Sequence, residues 1–142
     1  MLEMLFSRSK VSLGKTFQNG ETIVKQHDPP GSMFIILEGR VQIWVDDGGK
    51  EPFLVAILEK DNVFGSIALY DGSPRISTAR ALGKVRVMSV NRKGFLQWLG
   101  EDPSFSLRIF LKMSERIRTL IAQVVSLRRE VRQLRQKIPP SR

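Results

Sequence analysis

The 142-residue chain contains no cysteine, which excludes disulfide staples, thiolate metal sites and a thiol nucleophile. It has a single histidine, His27, so no multi-histidine metal centre can be assembled from it. His27 stands in the run Gln26-His27-Asp28-Pro29-Pro30, the composition of a surface turn, with no acid–base partner beside it in the sequence. No Ser/His/Asp arrangement and no Walker-type phosphate loop is present, and a catalytic role is not expected. Long apolar runs are missing too. Phe53–Leu58 is among the longest, far short of the roughly 20 residues that span a bilayer, so no membrane span is expected. Met1–Phe6 lacks a basic segment and is too brief for a signal peptide, which points to a cytoplasmic protein.

What the chain does have is the composition of one globular domain, 42% hydrophobic and 26% charged. Its net charge is +9, from 23 Lys/Arg against 14 Asp/Glu. That excess invites a nucleic-acid, acidic-partner or membrane-surface reading, so its location matters. Ser114–Arg142 carries eight basic residues (Arg116, Arg118, Arg128, Arg129, Arg132, Arg135, Lys137, Arg142) against Glu115 and Glu130, and supplies +6 of the total. The body before it is close to neutral.

From Val11 to about Val90 the pattern alternates with period two. Val41, Ile43 and Val45 alternate with Arg40, Gln42 and Trp44 as in a half-buried strand. Ser32–Leu37 reads as a more fully buried strand, with Glu38-Gly39 expected at a turn between the two. Asp47-Gly48-Gly49 marks a hairpin, and further strands are expected at Pro52–Leu58, Arg75–Ala81 and Lys84–Val90. Many short strands at this spacing predict a sandwich, barrel or jelly roll. At Asn91 the period changes to that of a helix. Asn91 is placed to cap a helix carrying Phe95, Leu96 and Leu99, and Gly100 to end it. Asp102-Pro103 has the form of an N-cap followed by proline in the first turn, and no proline recurs before Pro139-Pro140, which allows a helix of up to 36 residues.

Its second half carries a heptad. Ile117, Val124, Val131 and Ile138 fall at a, and Leu120, Leu127 and Leu134 at d, with Phe110 and Met113 extending the seam one heptad earlier. β-Branched a residues with leucine at d favour a parallel two-stranded coiled coil, and Glu130 at g would face Arg135 at e of the partner. The expected dimer interface is therefore Phe110, Met113, Ile117, Leu120, Val124, Leu127, Val131, Leu134 and Ile138. The competing reading is a single amphipathic helix lying on its own domain, since its stripe recurs at nearly the same interval. Three heptads are marginal alone, so the β-domain must support the coil.

The sharpest local feature is Phe64-Gly65-Ser66-Ile67-Ala68-Leu69 followed by Pro74-Arg75. Gly65 permits a tight turn, Ser66 can cap a one-turn helix through Leu69, and unpaired N–H groups at such a start attract an anion. Arg75 could return to the same anion with two donors, which suits a single phosphate.

These residues, with Phe17-x-x-Gly20-Glu21-x-Ile23, Asp28, Met33-Phe34-Ile35-Ile36-Leu37-Glu38-Gly39-x-Val41 and Pro74-Arg75-x-x-Thr78-x-x-Ala81, resemble the cyclic nucleotide-binding domain family, of which catabolite activator protein is one type. The resemblance covers about residues 11–113. It implies a mainly β fold, a β-roll (jelly roll) flanked by helices, with a long C-terminal coiled-coil helix. The domain plan it suggests is a short N-terminal segment 1–10, the roll 11–113, a dimerising helix 114–138 and a tail 139–142. The implied ligand-binding residues are Phe64, Gly65, Ser66, Ile67, Ala68, Arg75, Ile76 and Ser77, with Arg75 gripping the cyclic phosphate. Two departures stand out. Ser66 replaces the family's acidic residue, whose carboxylate accepts from the ribose 2′-hydroxyl, and Ile76 stands where some members place a hydroxyl on the phosphate. The helix positions that contact the base fall near Leu120 and Ile121, both apolar.

By this resemblance the chain is expected to be a ligand-sensing module for a cyclic nucleotide, such as cAMP or cGMP, or a related phosphate ligand, that signals through a homodimeric helix. The alternative is a domain that kept the roll and the dimer helix, lost the ligand and acts as an adaptor. No cofactor is called for. Transcription-factor relatives carry a helix-turn-helix after this helix, for which no residues follow here, so sequence-specific DNA recognition is not expected. The arginines of the basic tail read first as a solvated coiled-coil face and next as a surface for an acidic protein partner. Contact with nucleic acid or a membrane surface comes last; the arginines could touch a phosphate backbone, but no aromatic residue follows Phe110 to stack single-stranded bases.

Overall fold

The computed structural model describes residues 11–65 and 72–139, with the side chains of 11–13 left out of the description. Six strands and two helices follow in order: β1 (Val11–Phe17), β2 (Thr22–Val24), β3 (Met33–Val45), β4 (Phe53–Leu58), β5 (Val63–Phe64), β6 (Thr78–Val90), α1 (Arg92–Glu101) and α2 (Pro103–Gln136). All the pairings are antiparallel. The sheet runs β1-β6-β3-β4, with β2 joined to β6 and β5 to β3. An antiparallel sheet followed by a long C-terminal helix is the architecture expected of the roll.

The strand boundaries differ from the sequence reading at two glycines. The turn expected at Glu38-Gly39 is absent: the strand expected at Ser32–Leu37 begins at Met33 and runs on through Val41–Val45 as one 13-residue strand. Likewise Arg75–Ala81 and Lys84–Val90 merge into β6, which begins at Thr78 and passes straight through Gly83. A glycine at positive φ reads alike in a turn and in a bulge, and here it makes a bulge. The register between β3 and β6 slips on both sides of Glu38, from Ile36↔Val87 to Glu38↔Arg86 to Arg40↔Leu82.

That slip decides which side of β3 faces which core. Before it, Met33, Ile35 and Leu37 point towards the helices, into a cluster with Val63, Met88, Val90, Phe95, Trp98, Phe105 and Ile109. Beyond it, Val41 and Ile43 join Ile36 in the cluster inside the roll, with Leu58, Phe64, Ala79, Ala81, Val85 and Val87. Odd positions thus change sides across the bulge, so one strand serves two cores. Gly39 has φ +88°, and a Cβ there would lie 2.4 Å from the Lys84 carbonyl oxygen.

Two caps place the helices. The Asn91 side chain accepts from the Gly94 N–H at 2.7 Å and opens α1, which seats Phe95 and Trp98 in the outer core. Helix α1 runs past Gly100 and stops at Asp102, which closes α1 with its own N–H on the Trp98 carbonyl and opens α2 by accepting from the Phe105 N–H. Hydrogen bonds from the Ser104 hydroxyl and the Phe105 N–H hold the Asp102 carboxyl below the usual aspartate range. Helix α2 is continuous for 34 residues, so residues 113 and 114 lie within one element.

Replacing Gly39 by alanine is expected to lower the unfolding free energy in urea by about 2 kcal/mol or more, since positive φ and a backbone clash act together. Gly83→Ala, at φ +75° with nothing within 4 Å of the new Cβ, is expected to cost about 1 kcal/mol. Equal losses at the two sites would contradict the role given to Gly39.

Candidate functional site

Arg75 is the charged residue buried in the described part of the chain, 7% exposed. Its backbone is held between two strands of bonds: the Arg75 N–H donates to the Asp28 carbonyl at 2.9 Å, and its carbonyl accepts from His27 at 2.8 Å. The His27–Asp28 segment of the proline-rich turn is therefore the partner that aims Arg75. His27 itself is exposed and sits at φ +74°.

The guanidinium points across to the end of β5. Nη1 donates to the Gly65 carbonyl at 3.1 Å and Nη2 to the Ser32 carbonyl at 2.6 Å. It also lies 5.8 Å from the centroid of Phe34, whose ring stacks on Phe64. Burial lowers the pKa of Arg75, and the nearby Asp28 carboxylate partly offsets that. Gly65 is required beside it: at φ +79°, a Cβ would stand 2.5 Å from Nη1.

Above this guanidinium opens a cleft of about 310 Å³. One wall is the sheet, through Val24, Ile43, Val45 and Val55; the floor is Phe64, Gly65, Arg75, Ile76 and Ser77; the far wall is α2, through Met113, Arg116, Ile117 and Leu120. The lining is apolar apart from the two guanidiniums and Ser77. Chemically it is a pocket for one apolar or aromatic body carrying an anionic group. A smaller cleft of about 220 Å³, between β3 and the helices around Trp98 and Ile109, contains no such buried cation.

The structure brings together Phe64, Gly65, Arg75, Ile76 and Ser77 from the sequence-derived set. Ser66, Ile67 and Ala68, and with them the expected one-turn helix, lie outside the described residues. Of the two helix positions matched to the base, Leu120 lines the cleft, whereas Ile121 is 57% exposed and does not. Arg116 was missed. The signal was available: it stands three residues after Met113 and four before Leu120, so a helix puts all three on one side. Counting it with the basic tail hid that placement.

Met113, Ile117 and Leu120, expected in the dimer seam, line the chain's own cleft while remaining exposed, Ile117 at 57%, and Phe110, also expected there, is open at 66%. The first part of α2 thus behaves as an amphipathic helix on its domain, with Phe105 and Ile109 buried. From Val124 onward the seam residues Val124, Leu127, Val131, Leu134 and Ile138 are open, with Leu127 60% exposed.

The sequence profile of the cyclic nucleotide-binding domain matches residues 14–102. The chain belongs to the cyclic nucleotide-binding domain family. It is 28% identical over 104 residues to a CRP-like cAMP-activated global transcriptional regulator of Mycobacterium tuberculosis, covering 72% of this chain and 46% of that protein. It is 33% identical over 85 residues to a cAMP-dependent protein kinase regulatory subunit of Blastocladiella emersonii, covering 59% of this chain and 21% of that protein. The chain therefore spans less than half the length of these relatives. The catabolite activator protein of Thermus thermophilus shares the fold over 98% of this chain and 68% of its own, with a TM-score of 0.70 at 19% identity. Among the described residues no helix is long and apolar enough to cross a membrane, and no cluster of His, Asp and Glu could hold a metal.

Proposed function

We infer that the chain is a regulatory ligand-sensing module that takes a cyclic nucleotide or related phosphate ligand in the cleft above Arg75. The observation that carries this is a buried guanidinium and a Gly65 turn at the floor of an apolar cleft whose far wall is the start of a long helix. Arg75 still has N–H donors beyond the two that meet carbonyls, and an anion can recruit them. A body wedged between the sheet and α2 changes where α2 lies. The helix is then the output.

The output is read as dimeric. Past Val124 the helix presents an exposed apolar stripe with the a and d residues of a parallel two-stranded coil, and such a stripe is stable in water only when covered. The arginines around it give the dimer a basic rod suited to an acidic protein partner, with base-specific DNA contact not part of the reading. The adaptor alternative also has an observation behind it. Arg75 already bonds the Gly65 and Ser32 carbonyls and can serve the fold without a ligand, and Ser66 offers no carboxylate to a ribose.

Titration calorimetry with cyclic AMP and cyclic GMP separates the two. The sensing reading predicts micromolar binding of at least one of them. Arg75→Lys, which keeps the charge but loses the planar fork, should weaken it by about tenfold or more. No binding of either nucleotide, nor of cyclic dinucleotides or a nucleoside bisphosphate, at high micromolar concentration leaves only the adaptor. For the dimer, light scattering should give twice the chain mass for the full chain and a monomer for Leu127→Glu. A monomeric full chain at high micromolar concentration would overturn it.

A further inference from the structure

The cleft holds a second cation that a cyclic mononucleotide leaves unmatched. Arg116 reaches from α2 across to β5, where Nη1 donates to the Val63 carbonyl, one residue before Phe64-Gly65. This bond uses a single donor of the five that a guanidinium carries. The side chain is partly buried, and burial lowers its pKa with no acidic group acting to raise it. Arg75, by contrast, feels Asp28. Glu59 and Glu115 lie on the other side of Arg116, lining an adjoining cleft. Glu115 is paired with Lys112 at 3.8 Å, and no ion pair to Arg116 is found among the described residues. The family's acidic residue after Phe-Gly is also gone, since Ser66 stands there. No carboxylate lines the main cleft among the described residues, while two guanidiniums do.

A desolvated cation without a counter-charge is unfavourable, and a bound anion removes that cost. A 3′,5′-cyclic phosphate carries one negative charge, which Arg75 and the Gly65 turn match. We propose that Arg116 is a second anion-binding residue of this cleft, and that the ligand is a phosphate ester with two separate anionic groups, one held at Arg75 and one at Arg116. The proposal rests on the reading of the cleft as an anion site and adds the charge of its ligand. It also gives α2 a direct polar contact with the ligand. The second anionic group takes Arg116 donors that the Val63 carbonyl leaves free, and so adds to the contact that ties the helix to β5.

The probes are cyclic AMP and adenosine 3′,5′-bisphosphate, which share a nucleoside; the first has one singly charged diester and the second two monoester groups of up to two charges each, so the Arg116 variants isolate the contribution of the second site. Calorimetry on the full chain should show the bisphosphate binding about tenfold or more tightly than cyclic AMP, as expected for one added charged hydrogen-bonded contact. Arg116→Gln should erase that preference, the readout being the ratio of the two affinities measured on the same variant. Arg116→Lys should keep part of it, and unchanged circular dichroism shows that both variants fold. Equal or tighter binding of cyclic AMP by the unaltered chain, or a preference that survives Arg116→Gln, overturns the proposal and leaves the sensing reading in place. Binding of neither probe overturns the proposal, and with no cyclic GMP binding either it overturns the sensing reading as well.

Discussion

A guanidinium taken out of water is the constraint around which this domain is arranged. Burying Arg75 would cost several kcal/mol if its donors were left unmet. The Gly65 and Ser32 carbonyls meet two of them, the Phe34 ring covers one face, and Asp28 supplies charge nearby. Each of these partners fixes something else in turn. Gly65 must lack a side chain, Ser32 is the residue that leads into β3, and the segment 27–28 is pinned to Arg75 through its backbone. The same residue that would meet a ligand anion therefore ties the strand β5 turn to the start of β3. Fold and site are coupled through one side chain, which is why loss of a ligand need not lead to loss of the arginine.

The second organising feature is the bulge around Gly39. Because β3 changes the side it presents there, its first half can close the outer core beneath Trp98 and Phe105 while its second half closes the roll. The outer core is what holds α1 and the start of α2 against the sheet, and so fixes the far wall of the cleft. Polar contact across that wall comes from Arg116 on the Val63 carbonyl. The rest is apolar contact, through Met113, Ile117 and Leu120, that stays partly open to solvent. A helix packed firmly at its root and lightly at the cleft can shift at the cleft without unfolding at the root.

Much of this was legible in the order of residues. The period-two stretches, the Asn91 and Asp102 caps and the long proline-free helix all follow from local chemistry, and local chemistry decided them. The sequence places a turn at Glu38-Gly39 and a break between Ala81 and Lys84, where the structure has continuous strands, because a glycine at positive φ serves a bulge and a reversal equally; only the pairing of β3 with β6 over its whole length tells them apart. Gly100 failed as a helix end because Asp102 offered a cap to two helices at once. At the site, Gly65 and Arg75 stood out by their motif. Arg116 did not, since its meaning depends on the side of α2 that meets the roll, and that is a tertiary fact. The heptad had the same ambiguity: Met113, Ile117 and Leu120 line the chain's own cleft, and the seam residues from Val124 on are exposed among the described residues.

The excess of positive charge also changes meaning. Arg116 is part of that excess by count but belongs to the cleft by position, whereas Arg128, Arg129, Arg132 and Arg135 sit on the exposed far end of α2. The most direct test of the cleft is a crystal structure of the chain grown with cyclic AMP. The phosphate is expected within about 3 Å of the Arg75 guanidinium, with the base between the sheet and α2. A nucleotide bound elsewhere, with Arg75 still engaged only by the Gly65 and Ser32 carbonyls, would contradict a ligand-sensing cleft at this position.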